Sequence, residues 1–185
     1  MDGKPLDAPK ATAAIGYVKT NVPVKSKTFT VNKTSEDTSW GAVYAQFTQA
    51  TKNIADHSNG IAVVRELLTT DGKAPQTLKV GDRVIVRITI TADRDYDFVQ
   101  VIDKRAACLE PVRQLSGYRN GAYCTPKDNT TNYYFNMMPK GKHIIETEYT
   151  IDRTGTYETG TCTVQCAYAP EFRGTTKSQT LKIEN

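Results

Sequence analysis

The stretch from Asp82 to Ala92, "DRVIVRITITA", alternates so strictly that it fits one kind of local structure. Val84, Val86, Ile88 and Ile90 fall on one side and Arg83, Ile85, Arg87 and Thr89 on the other, the two-residue period of a strand with one buried face. A helix brings residues three and four apart onto one face and does not satisfy this period. "HIIETEYTID" repeats the pattern, with Ile145, Thr147, Tyr149 and Ile151 opposite Glu146, Glu148 and Asp152. "GTCTVQCAYAP" places Cys162, Val164, Cys166 and Tyr168 on one face. "GIAVVREL", "DFVQVID", "KTFTVNK", "IGYVKTNV" and "TLKIEN" are further strands, rich in β-branched and aromatic residues and separated by Gly, Pro, Asn and Asp. Only "VYAQFTQATKNIAD" has a helical composition, and it also reads as a strand from Trp40 to about Phe47 followed by a loop. Many short strands between turn signals predict an all-β fold, an antiparallel Ig-like β-sandwich.

Two polar, breaker-rich stretches, "ADHSNG" at 55–60 and "TTDGKAPQ" at 69–76, mark where organisation changes. From about residue 60 or 77 onward the strands suffice to close a sandwich alone. Residues 1–57 offer only three plausible strands, too few for a core. They are expected to form a smaller, incomplete β-segment packed at the N-terminal side of a domain spanning 58–185, or to complete a domain whose remainder lies upstream. The polar opening "MDGKPLDAPK" has no apolar signal core, and the chain is expected to have been cut from a longer one.

The charge excludes some functions. Twenty-four basic and 20 acidic residues leave a net charge of +4, and the two signs are interspersed. "KTNVPVKSK" and "VIDKR" are short and alternate with apolar residues, so the clustered footprint of a nucleic-acid reader is missing. No stretch approaches the roughly 18 apolar residues of a membrane-spanning helix. Neither His57 nor His143 has a Cys or carboxylate at metal-ligand spacing, and the four cysteines match no zinc ribbon or finger. Phosphate-loop and nucleophile-elbow motifs are absent. The sequons at Asn32 and Asn129 read as turn chemistry. No catalytic residue, metal or cofactor is expected.

The even cysteine count and secreted-type composition predict at least one disulfide among Cys108, Cys124, Cys162 and Cys166, and hence an extracytoplasmic compartment. Four residues of extended strand span roughly 13 Å, about twice the Cα separation a disulfide allows, so Cys162 and Cys166 do not bond each other. Either pairs with Cys108 or Cys124 across the sheets, or remains a buried thiol.

"SWGAVYAQF", "LKVGDRVIVRITITADRDYDFVQVIDKRAACLEPVRQLSGYR", "KDNTTNYYFNMMPKGKHIIETEYTIDRTGTYETG" and "TVQCAYAPEF" together resemble the C-terminal region of bacterial α2-macroglobulin family proteins. The resemblance runs from about residue 14 to 185. It rests on "DRD" at 93–95, "EPV" at 110–112, "LSGY" at 115–118, "PKG" at 139–141 and "YAPEF" at 168–172, in the family's order. It implies a last macroglobulin-like β-sandwich at 58–185, preceded at 1–57 by the returning part of a CUB-like β-domain into which a helical thioester domain is inserted.

The family's thioester joins a Cys to a Gln three residues later. Here "CLEP" puts Pro111 in that place, and proline has no side-chain carbonyl to acylate, so the resemblance assigns Cys108 a structural role in a loop motif. It implies a non-catalytic structural and interaction module of a protease-trapping envelope protein, periplasmic or at the cell surface. The expected partners are other domains of the parent chain, above all the helical thioester-type domain, and proteases through the full-length protein. In thioester-bearing relatives a loop tyrosine of this domain shields the thioester. The segment Arg105–Asn132 is the place for such a loop, with Tyr118 and Tyr123 as its tyrosines and simple packing as the competing role. A stand-alone carbohydrate-binding or adhesion sandwich would instead recruit Tyr96, Tyr118, Tyr123 and Trp40. A cysteine enzyme would need a low-pKa thiol.

Overall fold

The computed structural model describes residues 1–6, 18–23, 25–34 and 36–185. The chain divides into two compact units, Met1–Gln46 and Phe47–Asn185, the division falling ahead of the expected boundary at 57/58.

In the first unit the described residues form no strand or helix. A turn is organised by Asp2, whose carboxylate accepts from the Lys27 and Thr28 amides at 3.0 and 2.9 Å and from the Thr28 hydroxyl at 3.0 Å. Those bonds, the Thr28 amide first, hold the Asp2 carboxyl below its ordinary value. The strand expected at "KTFTVNK" is not formed, nor is one at Trp40–Phe47. Residues 15–17 of "IGYVKTNV" lie outside the described residues, and 18–22 are not strand. β-prone residues become strand only when a second strand takes up their main-chain groups, and among the described residues no second strand forms a ladder with them. The "VYAQFTQATKNIAD" stretch holds one 3-10 turn, Thr51–Asn53, and no longer helix.

The second unit is built from thirteen strands: β1 (His57–Asn59), β2 (Ile61–Thr69), β3 (Arg83–Ala92), β4 (Tyr96–Lys104), β5 (Leu109–Pro111), β6 (Gly117–Arg119), β7 (Ala122–Pro126), β8 (Thr130–Met138), β9 (Gly141–Ile151), β10 (Gly155–Glu158), β11 (Cys162–Cys166), β12 (Arg173–Thr175) and β13 (Thr180–Ile183). Eleven form one ladder in the order β5-β9-β3-β2-β1-β12-β11-β4-β8-β7-β6, and β10 and β13 pair separately. All these strand pairings are antiparallel. Short β1 pairs with β2 through one residue and with β12 through three, so the ladder folds over there. The two halves stack face to face as an antiparallel β-sandwich.

The alternation read from the sequence places the core. Val84, Val86, Ile88, Ile90 and Ala92 are buried along β3, as are Ile145, Tyr149 and Ile151 along β9. Each large aliphatic side chain so buried is worth about 1.5–3 kcal/mol. Cys162, Val164 and Cys166 share the inner face of β11, whereas Tyr168, beyond the strand end, is exposed.

Polar contacts cross between the layers. Tyr149 on β9 shares a 2.8 Å hydrogen bond with Thr131 on β8, and Tyr133 on β8 shares one with Thr147 on β9. Arg65 on β2 reaches Asp103 on β4 at 3.0 Å, with side chains only 7% and 2% exposed. Burial is the larger influence on Asp103 and pushes its carboxyl from the ordinary 3.8 up to about 6, while Arg65 pulls the other way. The folded state therefore holds this proton more tightly than the unfolded chain. The associated stability is present below about pH 4 and lost as pH rises through about 6. Urea unfolding of wild type and Asp103→Asn at several pH values should show wild type gaining on the variant as pH falls from 7 to 4; a shrinking gap would mean that the ion pair outweighs burial.

Gly174 shows how tightly β12 lies on β2. A Cβ there would sit 2.6 Å from the Ile61 carbonyl oxygen, and backbone cannot swing aside. Gly174→Ala is expected to cost about 1–3 kcal/mol in urea unfolding. Gly117→Ala, whose Cβ meets nothing within 4 Å, should stay within about 0.5 kcal/mol of wild type.

Candidate functional site

The segment from Arg105 to Asn132 leaves one layer, contributes β5 to the other and returns through a hairpin. Its base is clamped by one side chain. The Arg105 guanidinium donates to the carbonyls of Leu109 (3.1 Å), Thr130 (2.9 Å), Lys127 (2.5 Å) and Asp128 (2.8 Å), tying the start of the excursion to its end. A planar fork suits several carbonyls at once, and a lysine ammonium does not reproduce it.

The hairpin joins β6 and β7 through Asn120 and Gly121, both with positive φ (50° and 80°), the geometry of a tight two-residue turn matched to strand twist. Asn-Gly is the residue pair that adopts it most easily. The turn sets Tyr118 directly opposite Tyr123, with ring centroids 5.2 Å apart and planes at 67°. On the next strand Tyr134 pairs with Tyr123. Tyr118 is 74% exposed, and Tyr123 and Tyr134 are 39% and 38% exposed. Three tyrosines thus line one outward face at the β6 edge, with exposed Leu115 just before it, its carbonyl held by Arg119 at 2.5 Å. The hydroxyls of Tyr118 and Tyr123 make no hydrogen bond among the described residues.

Both tyrosines expected from the sequence are therefore brought together. Tyr134, not singled out as a site residue, joins them; its partner Tyr133 points into the core at 3% exposure. The signal that would have found it is the alternation of "NYYF" combined with "NG" as a hairpin turn.

The cysteines do not act as staples. All four are buried free thiols, and the expected disulfide is absent. For Cys124 against Cys162 and Cys166 the reason is topological. Cys124 on β7 and Cys162 and Cys166 on β11 are separated by β4 and β8, about 14 Å of sheet at 4.7–4.9 Å per step, twice the reach of a disulfide. Cys108 precedes β5 in the opposite layer. Burial pushes the thiols of Cys108, Cys124 and Cys162 up, away from the thiolate a nucleophile needs. "CLEP" is also not a loop: Leu109–Pro111 is edge strand β5, with Leu109 opposite Ile151. Tyr96, a member of the glycan-binding set, is 5% exposed and donates to Asp93 at 2.6 Å. Among the described residues no group of His, Cys, Asp and Glu is arranged to hold a metal.

The short motifs meet at the end of the sandwich where β3 turns into β4. Asp93 pairs with Arg94 at 3.0 Å, and its carboxyl is lowered to about 2 chiefly by that hydrogen bond. Arg94 lies over the Phe172 ring at 5.2 Å, and Phe172 packs against Tyr96 at 5.4 Å. Asp95 accepts from the Lys140 amide at 2.7 Å, joining "DRD" to "PKG". These motif residues are architectural.

An all-β sandwich module with an exposed aromatic edge is the class that this geometry defines. The sequence matches the model of the bacterial alpha-2-macroglobulin MG10 domain over residues 60–171, and the chain belongs to that family. Among solved structures it is similar to Salmonella alpha-2-macroglobulin reacted with methylamine (24% identity, TM-score 0.63, covering 72% of this chain and 10% of that one). It is also similar to Escherichia coli alpha-2-macroglobulin activated by porcine elastase (20% identity, TM-score 0.65, 71% and 14%). A third similar structure is the native Escherichia coli protein from domain MG7 to the C-terminus (19% identity, TM-score 0.63, 70% and 24%). The chain spans 10–24% of the length of these relatives. No curated protein matches the sequence.

Replacing Arg105 with lysine is expected to leave the core intact while the hairpin loosens. Amide exchange across 109–130 should quicken by about tenfold or more as several carbonyl bonds are lost, with strands β3 and β9 unchanged. Unchanged exchange in the hairpin would show that its pairing with β8 suffices.

Proposed function

We propose that this chain is a structural and interaction module of a bacterial α2-macroglobulin-like protease-trapping protein of the cell envelope, and that the Tyr118/Tyr123 hairpin is its docking surface for another domain of the parent chain. The carrying observation is the exposed aromatic pair, held on a clamped edge hairpin inside the region that matches the MG10 family model. A rigid β-hairpin with two rings at its edge is suited to covering a neighbouring surface: aromatic rings bring large contact area with little entropy to lose. The resemblance points to a helical thioester-type domain as that neighbour and to thioester shielding as the service. One of the similar solved structures is a tyrosine-to-glycine mutant of Salmonella alpha-2-macroglobulin.

In this reading residues 1–57 are the partial CUB-like β-segment and 58–185 the macroglobulin-like domain. The extracytoplasmic location rests on the family alone, since the free thiols withdraw the disulfide argument. Among the described residues no helix is long and apolar enough to cross a membrane.

The test uses the full-length parent. Elastase should convert it to a faster-migrating form on native gels and remain active only on small substrates. Full activity on a macromolecular substrate would refute trapping. Separately, Tyr118→Gly with Tyr123→Gly should speed methylamine incorporation, read by mass. No incorporation in either form, or equal rates, would refute shielding and leave the trapping result to stand by itself.

A further inference from the structure

The cleft between β2 and β13 is bordered by two strand edges with unused main-chain groups. On β2 the direction of each residue follows from its ladder with β3. Gly60 and Asp93 are bonded across that ladder at 3.0 Å, so even-numbered residues of β2 exchange hydrogen bonds with β3 and odd-numbered ones point away. Thr69, whose amide goes outward to the Lys73 carbonyl at 2.8 Å, agrees with this parity. The outward side is covered at Ile61 and Val63 by Gly174 of β12. Beyond them the N–H and C=O groups of Arg65 and Leu67 are hydrogen-bonded to no described residue.

The same reasoning orients β13. Thr159 donates to the Gln179 carbonyl at 2.9 Å in line with the β10–β13 register, so odd residues face β10 and even residues face out. At the end of this outer edge Glu184 is already used: its amide donates to Leu78 at 2.8 Å and its carbonyl accepts from Val80 at 3.3 Å, forming a parallel bridge opposite Lys79. Upstream, the N–H and C=O groups of Thr180 and Lys182 are hydrogen-bonded to no described residue. The chain itself does not complete this ladder. Extending the bridge upstream would put Thr77 opposite Lys182 and Pro75 opposite Thr180, with Leu78 and Gln76 as the donors, and neither of those amides bonds to Lys182 or Thr180. Residues 74–78 line the cleft instead.

The space left has a volume of about 490 Å³. Buried Leu68, Leu78 and Leu181 contribute to its lining. Open edges of this kind are templates for a further strand, and folded proteins usually blunt or cover them. Here the β2 edge is closed at both ends and open in the middle, and the β13 edge is closed at Glu184.

We infer, on the reading that this chain is one domain of a larger protein, that this cleft binds an extended segment of another domain of the parent chain, which adds as a strand to the outer edge of β13 at Thr180 and Lys182. Donors and acceptors repeating every second residue along a strand are complementary to the main chain of another extended peptide, and to few other ligands. The pairing begun by Leu78–Val80 continues into the cleft through the newcomer. This inference is independent of the tyrosine hairpin, which ends the eleven-strand ladder at β6, whereas β13 belongs to the separate pair with β10.

The 185-residue chain, labelled with 15N, is titrated with a capped peptide of alternating Val and Thr flanked by lysines. The amides of Thr180 and Lys182 should exchange about tenfold more slowly with peptide bound. A peptide N-methylated at alternate residues should lose that protection. Lys182→Pro removes one outward donor and leaves the β10 ladder untouched, because the Lys182 amide faces away from β10. It should weaken binding about tenfold. Lack of protection at millimolar peptide, equal protection by the N-methylated peptide, or undiminished binding to Lys182→Pro with its β10–β13 amide resonances intact would each overturn the inference.

Discussion

The pair formed by Arg65 and Asp103 is the interaction on which the sandwich is registered. Both residues occupy inner-face positions of strands that are otherwise apolar, Ile61 and Val63 on β2 and Val99 and Val101 on β4. Interdigitated apolar layers already resist sliding, and a buried carboxylate and guanidinium that must meet at one place narrow the stacking further. Removing either partner strands the other charge, a loss of about 3–5 kcal/mol. The two tyrosine hydroxyl contacts from β8 to β9 fix the same stacking at a second line. Arg65 also donates to the Lys104 carbonyl at 3.0 Å, so the pair anchors the end of β4 from which the long excursion departs.

From that anchor the next arginine takes over. Arg105 follows Lys104 directly and collects the carbonyls at both ends of the excursion. The tyrosine hairpin therefore hangs from a fixed base although its tip is exposed. Order passes from the core through two consecutive guanidinium sites to the surface proposed for docking. A loop tyrosine on a mobile tether would lose contact energy to ordering; one on a clamped hairpin has already met that cost in folding.

Much of the fold was legible because its strands obey a strict period. The inner faces of β3, β9 and β11 could be written down from alternation. What alternation does not carry is the identity of the neighbour. It shows that Asp103 falls on an inner face, but the Arg65 partner belongs to the other layer and depends on how the ladder folds at β1. The cysteines failed for the same reason: an even count is a statement about composition, and the separation of Cys124 from Cys162 by two intervening strands is a statement about topology. The first unit failed differently. "KTFTVNK" has the residues of a strand, yet strand is a property of pairs, and among the described residues no second strand forms a ladder with it. The hairpin at Asn120–Gly121 had a readable signal that periodicity alone did not weigh.

The same dependence on pairing explains the two surfaces of the module. At the β6 edge the sheet ends in a short strand of three residues whose outward face carries aromatic rings, so recognition there is by side chains. At β13 the side chains alternate between buried Leu181 and Ile183 and exposed Thr180 and Lys182, and what is left unused lies in the main chain. A partner meeting the first surface is selected by shape and apolar area; one meeting the second is selected by being extended, whatever its side chains. Contacts of such different chemistry do not compete for the same segment.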